Sequence, residues 1–359
     1  VYRAGLRVKE ALRREPKRLQ WPVVSVGSLS AGGAGKTPVV IALALLLKER
    51  GWSVDVLSRG YGRRGRGVDC VSGDDAARYG DEPVMIARAA GVPVWVGAER
   101  FAAGVAAEHE NKQQRTQSTQ SGNAMYAMEG GAEVRQLHLL DDGFQHGQLA
   151  RALDVVLVTA EDLNDALLPA GNLREPWSAL GRADVVVVRE EEIAGEVGGQ
   201  QIPFGNDRKK GKNEGGGDSF KERVWALMRE GAQMWVVRRR LRFPAPMKTL
   251  GAGLRPVAFC ALARPEGFAA MLADAGCGVV ETVAYRDHHR YTLGDVERLV
   301  ALAGRLQASG FVTTEKDAVK LSTEMQARLE TVGPVMVVAL EAEFVDAEAV
   351  VQAIEAKIA

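Results

Sequence analysis

The chain has 359 residues, 46 Lys+Arg against 46 Asp+Glu, three cysteines and five histidines. That length predicts two domains, and the zero net charge excludes a uniformly basic nucleic-acid binder or an acidic tail protein. A hydrophobic fraction of 46% supplies real cores and excludes global disorder. Cys70, Cys260 and Cys277 form no C-x-x-C and are odd in number, which fits a reducing compartment rather than a disulfide framework. No histidine has the spacing of a zinc site. The longest apolar stretch, residues 38–47, falls short of the roughly 20 residues a bilayer span needs. No secretory signal is visible, and a start at Val1 rather than Met leaves open what precedes it.

Residues 1–15 read as a helix. Val1, Ala4, Val8, Ala11 and Leu12 share one face, Arg3, Arg7, Lys9, Arg13 and Arg14 the other, and Pro16 ends the run. Such a helix either packs on the protein or lies on an anionic membrane. Next comes a strand at 23–26, a Gly-rich loop and a helix at 37–50, then a strand at 54–57, a helix at 83–90 and strands at 94–96, 137–140, 155–158 and 185–188. Continuous apolar strands alternating with helices predict a parallel sheet covered on both faces. Residues 110–131 are rich in Gln, Ser, Thr, Gly and Asn and read as a disordered insertion. Residues 198–219 form a second polar stretch. Residues 220–243, with Trp225, Met228, Met234, Trp235 and then Arg238, Arg239, Arg240 and Arg242, read as an amphipathic helix, packed on the protein or touching a membrane. From Pro256 the rhythm resumes, with strands at 257–260, 279–284, 311–313 and 335–339 and helices at 266–275, 293–306 and 347–358. The expected division is a basic helix at 1–20, a phosphate-loop domain at 21–197, a variable insertion or linker at 198–255 and a smaller α/β domain at 256–359. The expected fold class is α/β: a parallel sheet like that of P-loop NTPases, flanked by helices, with a second smaller α/β domain.

The strongest local signal is Ser30-Ala31-Gly32-Gly33-Ala34-Gly35-Lys36-Thr37, between a strand and a helix. Glycines let backbone N–H groups approach phosphate oxygens, and the helix start favours negative charge. Lys36 would reach the β- and γ-phosphates, and the Thr37 hydroxyl would ligate Mg²⁺. Ser30 replaces the first Gly of the strict pattern, and Pro38 is tolerated in the first helical turn. Gly60 to Gly65 also fits G-x-G-x-x-G, but no helix follows it, so it is no dinucleotide site. Asp141 and Asp142 end an apolar strand, where phosphoryl transfer needs carboxylates for Mg²⁺. Asp81 and Glu82 begin a helix, either as ordinary N-terminal acids or with one as base for an acceptor hydroxyl. Asp287-His288-His289 follows a strand of the second unit and would reach the first unit's site if the two face each other across a cleft.

Together these stretches resemble the tetraacyldisaccharide 4′-kinase family, the lipid A 4′-kinases. The resemblance rests on VVSVGSLSAGGAGKTPVV, LSRGYG, GDEP, VWVGAERFAAG, HLLDDGFQH, LLPAGNLREPWSAL, FCALARPEGF, DHHRYTLGDV and FVTTEKDAVKL, in the family's order. It implies two α/β domains around a cleft, ATP and Mg²⁺ as cofactors, and transfer to the 4′-hydroxyl of an acylated glucosamine disaccharide 1-phosphate. It also implies peripheral attachment, by an N-terminal helix, to the cytoplasmic face of the inner membrane. No nucleic acid and no obligate protein partner are expected. Residue by residue, Ser30–Thr37 fall on the ATP loop, Lys36 and Thr37 on its phosphate and metal residues, and Asp141 and Asp142 on the metal acids. Asp81 falls on the catalytic base, with His288 its chosen partner and His289 in reserve. Glu175 falls near the metal or substrate, and Tyr61, Asn172 and Arg174 on the substrate side. Ser28, Ala261 and Arg264 depart from the family pattern. The rival readings are a nucleotide-switch ATPase, whose signature Lys would stand at Ala31, and a soluble small-metabolite kinase. A GTPase would want N-K-x-D, which Thr314-Glu315-Lys316-Asp317 resembles only loosely.

Overall fold

The computed structural model describes residues 15–120, 135–193, 219–244, 254–287 and 289–358. The segment read as a basic helix, save Glu15, lies outside them, as do residues 121–131 of the first insertion and 198–218 of the second.

The first half runs β1 (Val23–Ser28), α1 (Lys36–Glu49), β2 (Ser53–Ser58), β3 (Asp69–Cys70), α2 (Ala76–Tyr79), α3 (Asp81–Ala90), β4 (Val94–Val96), α4 (Arg100–Gln120), β5 (Gln136–Asp141), β6 (Leu153–Leu157), β7 (Val185–Arg189) and α5 (Glu190–Ile193). The second runs α6 (Phe220–Leu227), β8 (Gln233–Arg242), β9 (Val257–Cys260), α7 (Pro265–Asp274), β10 (Glu281–Ala284), α8 (Leu293–Leu306), β11 (Phe311–Thr314), α9 (Glu315–Ala318), α10 (Thr323–Glu330), β12 (Val335–Phe344) and α11 (Ala347–Ile358). Among the described residues these strands form one sheet in the order β10-β9-β11-β12-β8-β7-β6-β1-β5-β2-β4-β3. Neighbours are parallel except β3 with β4 and β8 with β12. β1 and β7 are buried along their whole length, as strands covered on both faces must be. α1 lays Val39, Val40, Leu43, Ala44 and Leu47 on one face of that sheet.

Two expectations are corrected. Residues 220–243 are not one amphipathic helix. α6 stops at Leu227, and a turn containing Gly231 at φ +77° leads into β8. The period along β8 is two: Trp235 and Val237 enter one apolar cluster, Val236 the other. Its arginines meet acids on neighbouring elements. Arg238 pairs with Glu190 (2.5 Å), Arg239 with Glu191 (2.5 Å), Arg240 with Glu343 (3.3 Å), and Arg242 with Glu341. The second correction concerns the first insertion, whose residues to Gln120 continue α4. Its buried Ala103 and Ala107 pack with Val23, Leu57 and Leu140, and a helix anchored there propagates into polar sequence at little cost.

β12 joins the halves. Its residues 335–338 pair with β11 and its residues 339–344 with β8. Phe344, together with Val350 and Ile354 of α11, lies in the same apolar cluster as Val24 and Leu43 of the first half. Among the described residues, no helix is long and apolar enough to cross a membrane.

Candidate active site

The loop Ser30–Thr37 leaves the carboxyl end of β1 and opens α1, the place where parallel sheets bind ligands. Gly33 and Gly35 stand at φ +77° and +91°, which L side chains rarely adopt. A Cβ on Gly35 would meet nothing within 4 Å, so that side of the loop opens onto space. No side chain caps α1, and an anion is the natural partner for its first N–H groups. From the side, the Ala31 N–H donates to the Asn172 carbonyl (2.8 Å) and the Arg174 N–H to the Leu29 carbonyl (2.7 Å).

Lys36 Nζ donates to Ser28 Oγ (3.2 Å) and lies 3.5 Å from Asp142 Oδ1. Ser28, a departure from the family pattern, thus anchors the loop lysine, and its Oγ donates to the Ser30 carbonyl (2.7 Å). Arg174 Nη1 donates to Asp142 Oδ2 (2.7 Å) and its Nη2 to the Ala31 carbonyl (2.9 Å), tying the acid to the loop. Asp142 itself sits at φ +51°, a conformation tolerated by Asp in turns. Burial pushes its carboxyl up, but the Lys36 and Arg174 charges outweigh burial and hold it below the usual range. Asp141 is different. Its Oδ2 accepts from Ser58 Oγ (2.9 Å), while burial first, then Glu82 and Asp142, pushes its pKa up to about 7. Oδ1 of each aspartate is buried without a hydrogen-bond partner.

The second half supplies the facing wall. A Cβ on Gly32 would come within 3.4 Å of Ala263 and 3.5 Å of Asp287 Oδ2, and one on Gly33 within 2.9 Å of Arg264. Arg264 spans the halves by donating to Thr159 Oγ1 (2.9 Å) and Asp162 Oδ1 (2.8 Å) and pairing with Glu161. Lys316 bridges Asp287 (3.2 Å) and Glu82 (3.8 Å), and Lys320 bridges Asp317 (3.1 Å) and Asp81 (3.9 Å). Burial pulls the Lys316 ammonium down, but Glu82, Asp287 and Asp81 outweigh it and hold its pKa above the usual value. Thus Lys316 and Lys320 tie Asp287 and Asp317 of the second half to Glu82 and Asp81 of the first, with Asp287 beside Gly32 of the loop. His288 lies outside the described residues. The reserve, His289, stacks on Tyr285 (4.8 Å), and its Nε2 lies 3.1 Å from Asp295, an acid in the capping box of α8. Tyr61 is 66% exposed, in the turn that Arg290 Nη2 reaches at the Gly62 carbonyl (3.2 Å).

Other expected residues have protein partners of their own. Both Glu175 oxygens accept from Arg182 (2.6 Å each), whose guanidinium lies over the Phe144 ring. Asn172 spends its side-chain amide on Asp165 (3.0 Å). The Thr314–Asp317 segment reads no base: Asp317 is fully buried and accepts from the Ala261 N–H (3.1 Å) and Thr314 Oγ1 (2.7 Å). Lys316, Lys320 and Ser58 were missed as site residues. The lysines sit in a stretch that the resemblance includes, and only the fold turns them toward Asp81 and Glu82.

The family model for LpxK, tetraacyldisaccharide-1-P 4′-kinase, matches residues 1–359. The chain belongs to this family. The tetraacyldisaccharide 4′-kinase of Koribacter versatilis is 35% identical over 361 residues, covering 97% of this chain and 94% of that protein. That of Geobacter metallireducens is 34% identical over 348 residues, covering 94% and 89%. Among solved structures, the "apo" form of LpxK from Aquifex aeolicus in complex with ATP superposes with a TM-score of 0.65 at 26% identity, covering 100% of this chain and 96% of that one. The family's mostly parallel α/β sheet is the one described above.

Proposed function

We propose that this chain is an ATP-dependent lipid A 4′-kinase that transfers the γ-phosphoryl group to the 4′-hydroxyl of an acylated glucosamine disaccharide 1-phosphate. The observation that carries the reading is the Lys36–Asp142–Arg174 network on a Gly-Lys-Thr loop that lies open beside Gly35. The loop amides and Lys36 hold the phosphates and offset the charge that develops during transfer. The donor set fits Mg²⁺, a hard ion that takes one or two carboxylates plus phosphate oxygens. Asp141 and Asp142 each keep a buried oxygen without a hydrogen-bond partner beside the loop that carries Thr37. Thr37, Asp141 and Asp142 would hold the ion, which when bound neutralises charge on the β- and γ-phosphates. Asp142 gives one oxygen to Arg174, whereas Glu175 is the expected ligand that has both oxygens taken by an arginine.

Asp81 accepts the proton of the acceptor hydroxyl. Lys320 Nζ lies 3.9 Å from it, and His288 is its partner by resemblance. Tyr61, 66% exposed, is a residue that the resemblance places on the substrate side. The acyl chains stay in the bilayer, and the basic segment 1–15 holds the cleft at the cytoplasmic face of the inner membrane, at about 1 kcal/mol per basic residue near an anionic surface. Residues 21–197 and 256–359 act as the two walls of the cleft, with α11 packed on the first.

The test is label transfer from the γ-phosphate of ATP to the acylated disaccharide in detergent micelles. Phosphorylation at the 4′-position supports the reading. Transfer only to a soluble sugar or nucleoside, or hydrolysis stimulated only by a protein, would replace it with one of the rivals. Near-wild-type turnover by Asp81→Ala would remove Asp81 as base.

A further inference from the structure

Arg189 ends β7 directly behind the phosphate loop, and neither the motif nor the resemblance singles it out. Its side chain is buried, and the residue is 6% exposed. Nη2 donates to the carbonyls of Gly33 (2.9 Å) and Ala34 (3.4 Å). Nη1 lies 3.6 Å from Glu192, a carboxylate that also accepts the N–H of Ala160 (2.9 Å) and of Arg189 itself (3.2 Å).

In a trans peptide the carbonyl and the next residue's N–H point in opposite directions. A donor that draws the Gly33 and Ala34 carbonyls to the back of the loop therefore turns the N–H groups of Ala34 and Gly35 to the front. Arg174 acts in the same way on the other flank. Its bond to the Ala31 carbonyl turns the Gly32 N–H away from that side. Left to itself, a loop with glycines at 32, 33 and 35 has other conformations in reach, and a flipped peptide would present its carbonyl oxygen to the phosphate. An arginine suits the task because its rigid fork serves two acceptors and its charge is not lost on burial.

We propose that Arg189 is a positioning residue for nucleotide binding: it holds the Gly33 and Ala34 carbonyls off the anion site, so that the amides of the loop are aimed before ATP arrives. The inference rests on reading Ser30–Thr37 as the ATP loop.

The experiment compares wild type with Arg189→Met, Arg189→Lys, Glu192→Gln and Lys36→Ala in the full chain. It measures the affinity for a non-hydrolysable ATP analogue with Mg²⁺ and the KM of each substrate, with circular dichroism melts reporting the fold. Arg189→Met should raise the analogue Kd and the KM for ATP roughly 10- to 100-fold, the usual cost of losing hydrogen bonds from a charged donor. The KM for the acylated disaccharide should stay unchanged. Arg189→Lys should recover part of the loss. Glu192→Gln disturbs the same ion pair but touches no loop carbonyl, so it should lower the melting temperature and leave ATP affinity at the wild-type value. Wild-type ATP affinity in Arg189→Met overturns the proposal, as does a parallel rise in both KM values in Arg189→Met and Glu192→Gln. If Arg189→Met does not fold, Arg189→Lys decides: a KM increase confined to ATP supports the role, and no such increase rejects it. Lys36→Ala separates the two claims. If it binds the analogue normally, the loop reading itself fails. If it loses binding while Arg189→Met does not, only the role of Arg189 fails.

Discussion

Strands β2 and β5 carry acid clusters of opposite character at their two ends. Toward their starts, Asp55 and His138 are register partners, with Nδ1 of His138 2.5 Å from Asp55 and its Nε2 3.4 Å from Glu108. Trp21 stacks on the ring (5.0 Å), and Glu108 accepts the N–H groups of Gln20 (2.6 Å) and Trp21 (3.0 Å). Burial pulls the imidazole down, but the two carboxylates outweigh it and raise its pKa to about 9. At the other end, Asp141 meets Ser58 and further acids, and its carboxyl is pushed up to about 7. Burial opposes charge at both ends. What differs is where the counter-charge sits: in the first cluster the His138 ring lies between Asp55 and Glu108, and Glu108 pins the chain entering β1, whereas in the second Lys36 and Arg174 are paired with Asp142 and Asp141 faces Glu82 and Asp142. An acid that faces a cation is held in place by it, whereas Asp141, facing further acids beside the phosphate loop, marks the place where the protein would receive a positive charge from outside.

Four substitutions break or sharpen that contrast. The largest effect is expected at the His138 end. His138→Ala leaves Asp55 buried without its cation and should cost about 3–5 kcal/mol in denaturant unfolding, with turnover per folded molecule unchanged. Because His138 titrates higher when folded, its contribution is present in full below pH 6.5 and is lost as pH rises through about 9. On the order of 3 kcal/mol should therefore disappear between pH 6 and pH 10 in wild type, and not in His138→Ala. Next comes Lys36→Ala, expected to lower kcat roughly 10²–10³-fold in the label-transfer assay with little change in melting temperature. Third, Asp141→Asn should abolish transfer while stabilising the ligand-free protein by about 1–3 kcal/mol at pH 8. The sign follows from the raised pKa: folding binds the proton more tightly, so stability falls as pH climbs from the unfolded pKa toward 7. Added Mg²⁺ and ATP should then stabilise wild type more than the variant. The smallest effect is expected at Arg264→Ala. Removing its bonds to Thr159 and Asp162 should cost about 1 kcal/mol of stability, read in the same melts.

The sequence made the parallel sheet legible because both faces of its central strands are covered, which leaves uninterrupted runs such as Val185–Val188 between helices. The phosphate loop and the Asp141–Asp142 pair were legible for the same reason, since each follows an apolar run with abrupt polar punctuation. β8 was misread because Trp, Met and Arg in mixed order satisfy a helical wheel as well as a strand. Its character depends on Glu190, Glu191, Glu341 and Glu343, which come from other elements. The helical continuation to Gln120 was hidden by polar composition, because the anchoring alanines precede it. Lys316 and Lys320 reach Glu82 and Asp81, and Arg189 the Gly33 carbonyl, from far along the chain, and no local pattern announces such contacts. For Glu175, placed by the resemblance near the metal or substrate, and Asn172, placed on the substrate side, the motif could not announce the partners Arg182 and Asp165.

The most direct measurement is a crystal structure of the full chain soaked with Mg²⁺ and a non-hydrolysable ATP analogue. The triphosphate is expected on the amides of Gly32 to Thr37, with Lys36 on its β- and γ-phosphates and the open oxygens of Asp141 and Asp142 turned to the metal. A triphosphate bound elsewhere, or a loop closed by its own side chains in the presence of saturating analogue, would contradict the account.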